Sequence, residues 1–274
     1  SSWRRPYFAG LENGVVLKTA LWNDEASYID KADFDSVSIG VLISSQNWVT
    51  VTGSNFVIGR ANPFDSTVTA INSCGNIGIA VLNTSHTYIG ENRFVGRVDA
   101  GSPYAGVFRY GAVVVGSGGV PKEIMKNAFD SLSEGVRSVG NNRIPVGLPS
   151  LTSGLQLKCN SFNRNNTDIS VTSFSASPSQ GIGPELGFID NPVKNTFSSS
   201  TTNIFNSGLP FNYNYHSSFT STERPSGSPG GVTLVGTGNV NNNCVVPFRA
   251  PGSGGSALGS TADIAAMDVS ALSS

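Results

Sequence analysis

Charge is scarce in this chain. Asp, Glu, Lys and Arg make up 13% of its 274 residues, about half the roughly 25% of an ordinary soluble domain. The 17 basic and 18 acidic residues nearly cancel, for a net charge of −1. A nucleic-acid partner is therefore excluded, because no basic footprint exists to neutralise phosphates. No basic run addresses an anionic membrane surface, and no stretch approaches the ~20 apolar residues of a membrane span. Histidine occurs twice, as His86 and His216, and cysteine three times, as Cys74, Cys159 and Cys244. The absence of any Cys-x-x-Cys removes the usual zinc and iron–sulfur arrangements, so neither a metal nor a cofactor is expected. Helical periodicity is missing as well; the nearest candidate, residues 121–126, is too short to stand alone. Ser1-Ser2-Trp3-Arg4-Arg5-Pro6 has no following apolar region, so it reads as neither a signal peptide nor a twin-arginine leader. The chain reads instead as a segment of a longer protein.

What the chain does have is glycine, 32 residues of it, many Ser, Thr and Asn, and a recurring Asn-x-Phe. The motif appears at Asn92-Arg93-Phe94, Asn127-Ala128-Phe129, Asn160-Ser161-Phe162 and Asn195-Thr196-Phe197, after a compressed Asn55-Phe56 and an earlier Asp33-Phe34. From Phe56 onward the phenylalanines lie 38, 35, 33 and 35 residues apart. Asn62-Pro63-Phe64 and Asn203-Ile204-Phe205 fall out of phase. A Gly followed by a short aliphatic run precedes each Phe, beginning at Gly14, Gly40, Gly78, Gly111, Gly135 and Gly154. Short apolar runs bounded by Gly, Asn and Ser read as strands, and a period in this range marks a repeat architecture.

These features predict an all-β chain folded as a right-handed parallel β-helix with loop insertions. Each Phe would stack on the Phe of the next rung, and each Asn would sit at a left-handed corner and join an axial ladder. Gaps near 35 residues imply one rung plus a loop, or two short rungs with Ile144, Ile169 and Ile204 filling the alternate ones. A β-sandwich or propeller of antiparallel strands is the competing fold. Residues 1–36 read as a leading or capping segment in which Trp3, Tyr7, Phe8 and Trp22 cover an open end. Residues 37–248 carry the repeats, and 249–274 form a Gly/Ser-rich linker and tail. Loops are expected at 61–67, 98–104 and 175–187. The three cysteines allow any one of three disulfides with a thiol left over. Cys159, in an expected strand over 157–160, reads as a small buried apolar residue.

Gly154-Leu155-Gln156-Leu157-Lys158-Cys159-Asn160-Ser161-Phe162, Ile189-Asp190-Asn191-Pro192-Val193-Lys194-Asn195-Thr196-Phe197 and the aromatic Phe211-Asn212-Tyr213-Asn214-Tyr215 resemble the right-handed β-helix segments of large Bacteroidetes surface or secreted proteins, many of which are exported by the type IX system. The resemblance spans residues 37–248 and is most specific over 154–216. It implies an extracellular location and a multidomain parent, and no defined activity.

Candidate chemistry is sparse. Asn166-Thr167-Asp168 matches the first element of the polygalacturonase pattern, but the Asp-Asp pair and Gly-His-Gly that should follow are absent. Asp168 thus lacks the second carboxylate that glycoside hydrolysis needs. His86 and His216 have no neighbouring acid in sequence. Asp24, Glu25, Asp30, Asp33 and Asp35 form the densest acidic stretch and read as a solvated face. Tyr213, Tyr215 and His216, on an expected aromatic strand, are the candidate binding residues, suited to sugar. Three functions remain open: a non-catalytic extracellular structural or adhesive module, surface-displayed and glycan-binding; a polysaccharide lyase or glycoside hydrolase; and a subunit of a larger cell-surface assembly. The expected partners are accordingly polysaccharide or other surface-protein subunits.

Overall fold

The computed structural model describes residues 5–18, 26–59, 76–97, 108–116, 118, 122–143, 154–173, 181–187, 192–199, 202–217, 222–226, 230–238 and 244. Every regular element among them is a β-strand. Sheet A holds β1 (Tyr7–Ala9), β4 (Asp33–Asp35), β7 (Asn55–Ile58), β10 (Arg93–Gly96), β13 (Ala128–Asp130) and β16 (Ser161–Asn163), side by side in that order. Sheet B runs through β2 (Asn13–Lys18), β5 (Ile39–Ser44), β8 (Asn76–Leu82), β11 (Arg109–Val115), β14 (Glu134–Val139), β17 (Thr167–Thr172) and β19 (Thr202–Asn206). Sheet C contains β3 (Ser27–Asp30), β6 (Trp48–Thr52), β9 (His86–Gly90), β12 (Lys122–Met125) and β15 (Leu155–Lys158). A small sheet D joins β18 (Glu185–Leu186), β20 (Phe211–His216) and β21 (Val232–Thr237).

The chain visits B, C and A in turn and then returns to B beside the strand it left, so every neighbour in a sheet is one pass older or younger. All pairings between described strands are parallel. This arrangement is consistent with a parallel β-helix and removes the antiparallel alternatives. One Phe-to-Phe interval is one pass: Phe56 pairs with Phe94 and Phe94 with Phe129. The long gaps are therefore a single pass plus inserted loop, and the idea of alternate short rungs fails. Ile169 and Ile204 are in-register neighbours on sheet B; Ile144 lies outside the described residues, as do the loops expected at 61–67 and 98–104. Strand pairing is already running at Tyr7, within the segment expected to cap the end. Trp3, Trp22 and residues 249–274 lie outside the described residues.

Identical positions repeat because each sheet face needs the same shape one strand higher. Phe8, Phe34, Phe56, Phe94, Phe129 and Phe162 form one column, with ring centroids 4.7 to 5.1 Å apart. That distance matches the strand spacing of about 4.8 Å, so the rings stack without departing from register. The row of Gly14, Gly40, Gly78, Gly111 and Gly135 makes room for them. A Cβ on Gly111 would lie 2.5 Å from the Gly135 carbonyl oxygen and 2.5 Å from the Phe129 ring. Gly154 belongs to no such row; it stands just before β15 on a different sheet.

The asparagines form the expected ladder at a corner of a different kind. The left-handed residue is the one before each of the first three: Glu91, Lys126 and Cys159 have φ of 58°, 56° and 60°. These residue types have no special taste for that conformation, so the bend is imposed by the pass. Asn92, Asn127, Asn160 and Asn195 follow, fully buried. The backbone N–H of Asn92 donates to Asn127 Oδ1 at 2.9 Å, that of Asn127 to Asn160 Oδ1 at 3.1 Å, and that of Asn160 to Asn195 Oδ1 at 2.9 Å. Each amide also caps a carbonyl at the end of sheet C, those of Val51, Ile89, Ile124 and Leu157. In the pass of Phe56 the ladder position is Ser54, whose N–H donates to Asn92 Oδ1, and Asn55 faces outward beside Asp33.

Cys159 departs from expectation. β15 ends at Lys158, so Cys159 occupies the corner and bonds covalently to Cys244. A corner side chain points away from the core, which is why it can reach a distant segment.

Candidate functional site

The nominated binding residues are largely interior. Tyr213 is fully buried; its hydroxyl accepts from Asn195 Nδ2 at 3.4 Å, and burial pushes its pKa upward. His216 is equally buried, beside Thr237 in register. Tyr215 is half-buried against the core. The alternation of β20 was legible, but the side with Phe211 and Tyr213 faces inward, and His216, on the other side with Asn214, is covered as well, so neither Tyr213 nor His216 offers a ring to a ligand.

Asp168 is also interior. It takes the place that glycine holds in the preceding passes of sheet B, next to Gly135. Its carboxylate accepts from Asn165 Nδ2, the Ser198 N–H and hydroxyl, and Asn203 Nδ2, at 2.6 to 3.0 Å. Burial raises its pKa, and these donors pull it part of the way back. The arrangement ties two adjacent passes together and leaves Asp168 without exposed surface for a substrate. Of the acidic stretch, Asp33 accepts from Arg5 and Asn55, Asp35 from Tyr7 and Ser36, and Asp30 from Thr52. Asp24 and Glu25 lie outside the described residues. Among the described residues no group of three His, Cys, Asp or Glu side chains could hold a metal ion.

The outer face of sheet C has the composition that the sequence reading sought elsewhere. Tyr28, Thr50, Tyr88, Glu123 and Gln156 are register partners along five strands. Their neighbours in each strand, such as Val49, Val51, Ile89, Ile124 and Leu157, are buried on the opposite side. Tyr28 is 57% exposed. Beside this row Trp48 stacks on His86, with centroids 3.9 Å apart and planes 6° from parallel. Burial lowers the His86 pKa, and the charge of Lys122 lowers it further, so the imidazole favours its neutral form. Tyr88 is pushed up to about 12 by burial, with Glu91 and Glu123 adding to the shift, and remains a neutral hydroxyl. Burial raises Glu123, against the opposing pull of Lys158. The face thus combines flat aromatic rings and hydroxyls, while the Gln156 amide is occupied by the Glu185 carbonyl. Such groups hold a neutral polyhydroxylated ligand by stacking and hydrogen bonds.

Two acids, Glu91 and Glu123, act on Tyr88 at this face, and Glu91 is paired with Lys126 at 3.6 Å. Glu123 lies on sheet C, Glu134 on sheet B, where it pairs with Arg137 at 4.0 Å, and Asp168 inside. The sequence hid the row because loops of unequal length separate Tyr28, Tyr88 and Glu123; only strand register aligns them. No family model, curated protein or solved structure matches this chain.

Proposed function

We propose that this chain is a right-handed parallel β-helix that acts outside the cell as a structural or adhesive module. In this reading it is displayed at a surface in the manner of the large Bacteroidetes proteins its repeats resemble, and it holds polysaccharide without cleaving it. The observation that carries the reading is the use of the buried polar side chains. Asn92, Asn127, Asn160, Asn195 and Asp168 are consumed in bonds between passes, which build a stiff body and leave none of these five for acid–base chemistry. Glycoside hydrolysis needs two carboxyl groups within about 5–9.5 Å across one sugar; Glu134 and Asp168 lie on other faces from Glu123, and Glu91, the second acid near Tyr88, is held in an ion pair with Lys126, which supports the non-catalytic part. A disulfide supports an oxidising, extracytoplasmic setting. The outer face of sheet C is the surface assigned to glycan.

A glycan-array screen of the chain, with a reducing-end assay on each hit, tests this. Binding without cleavage, weakened about tenfold or more by Tyr28→Ala with Tyr88→Ala, is expected for loss of two stacking contacts. Cleavage of any bound glycan would replace the reading with that of a hydrolase or lyase. Silence across the array would leave only the structural role.

A further inference from the structure

The passes are held together unequally, and the disulfide sits where the change occurs. As far as Phe162 the rings stack in parallel at up to 5.1 Å; Phe197 is then 5.9 Å away, and Tyr213 follows at 5.7 Å with its plane turned by 52°. The glycine row ends in Asp168 and Asn203. Among the described residues sheet A ends at β16 and continues as the bridge between Ser161 and Thr196. Among the described residues sheet C ends at β15, and the two-residue β18 pairs with β20 instead. Sheet D shares the apolar core of the regular body through Leu186, Phe211 and Tyr213, but among the described residues none of its strands pairs in register with a strand of sheets A, B or C. Its polar ties include the Tyr213 hydroxyl accepting from Asn195 Nδ2 and the Gln156 amide donating to the Glu185 carbonyl, and beside it lie the bridge between Asn141 and Gly181, the Asn206 amide donating to the Gly231 carbonyl and the Arg143 guanidinium donating to the Pro210 carbonyl. Across this junction runs the bond from Cys159, at the last regular corner of sheets C and A, to Cys244, beyond β21. It encloses β16 to β21 within a separation of 85 residues.

We propose that Cys159–Cys244 is a redox latch that holds sheet D against the regular body. A dithiol reductant breaks the S–S bond; each sulfur gains one electron and one proton to become a thiol, and the reductant closes to its own disulfide. Sheet D then separates locally, while the regular passes persist on their own ladders. The released end presents the strand edges of β15 and β16, a template for another chain.

Hydrogen exchange read by mass spectrometry on the full chain, with and without dithiothreitol, tests this in a Cys74→Ser background so that only this pair responds. Reduction is expected to accelerate exchange in β20 and β21 more than about tenfold while β5, β8 and β11 stay within about twofold, the signature of a local opening. Cys244→Ser without reductant should reproduce the pattern; if that variant does not fold, the reductant series on folded protein still decides. Unchanged exchange after complete reduction would overturn the latch, and so would acceleration of all sheets together, which would make the bond a staple of the entire fold.

Discussion

Asn127 makes four hydrogen bonds with one amide. Its Oδ1 accepts from the Asn92 N–H and Asn92 Nδ2, and its Nδ2 donates to the Ile89 carbonyl and Asn160 Oδ1. Replacement by Leu keeps the volume and leaves several of these groups buried and unmet, at about 1–3 kcal/mol for each buried group left unpaired. Asn127→Leu is expected to lower unfolding free energy by about 3 kcal/mol or more, read from urea denaturation. Lys122 tests a different property. Burial lowers its pKa from 10.5 to about 7, so between those values the unfolded chain binds more protons than the folded one. Stability therefore rises with pH through that window and is at its lowest, as far as this group is concerned, below about 7. Lys122→Met should be more stable than the parent at pH 7 and lose most of that advantage by about pH 10, checked by denaturation at both values. The sequence showed that the asparagines mattered but misplaced the left-handed residue, because Glu91, Lys126 and Cys159 carry no signature of that conformation. It also misread Cys159, whose partner lies 85 positions away.

Sheet B shows what a single row can tolerate. The glycines of β2, β5, β8, β11 and β14 are needed for lack of a side chain, since each faces a carbonyl of the next strand and a Phe ring. Gly111→Ala is expected to cost about 3 kcal/mol or more through displaced backbone and ring, seen as a lower denaturation midpoint. The same substitution at Gly118, which has no atom within 4 Å of the added Cβ, carries no such clash, although its φ of 62° still disfavours a side chain there. The Gly-plus-aliphatic pattern was legible for five of these strands because glycine and the β-branched residues after it share one strand. Gly154 has the same local sequence and a different place, since sequence proximity does not say which sheet a strand joins. The outer row of sheet C was illegible for the converse reason: Tyr28, Thr50, Tyr88, Glu123 and Gln156 share no local motif, and only their strands bring them together.

Parallel stacking itself was legible, because a column of rings needs its phenylalanines to return once per pass whatever the loop length. The lapse after Phe162 was not, since Asn195-Thr196-Phe197 repeats the motif faithfully while sheets A and C end around it. Motif and sheet part company where Asp168 fills the glycine position and draws Ser198 and Asn203 into its own bonds.

The covalent bond between Cys159 and Cys244 also decides how the molecule extends. A chain stretched between its ends runs through the sulfurs and bypasses everything from β16 to β21. The segment so enclosed, a separation of 85 positions or about 280 Å of contour at roughly 3.3 Å per residue, carries no load. The strands of sheets A, B and C that precede Cys159 peel apart pass by pass under tension, while β16, β17, β19 and sheet D are spared until the bond is reduced.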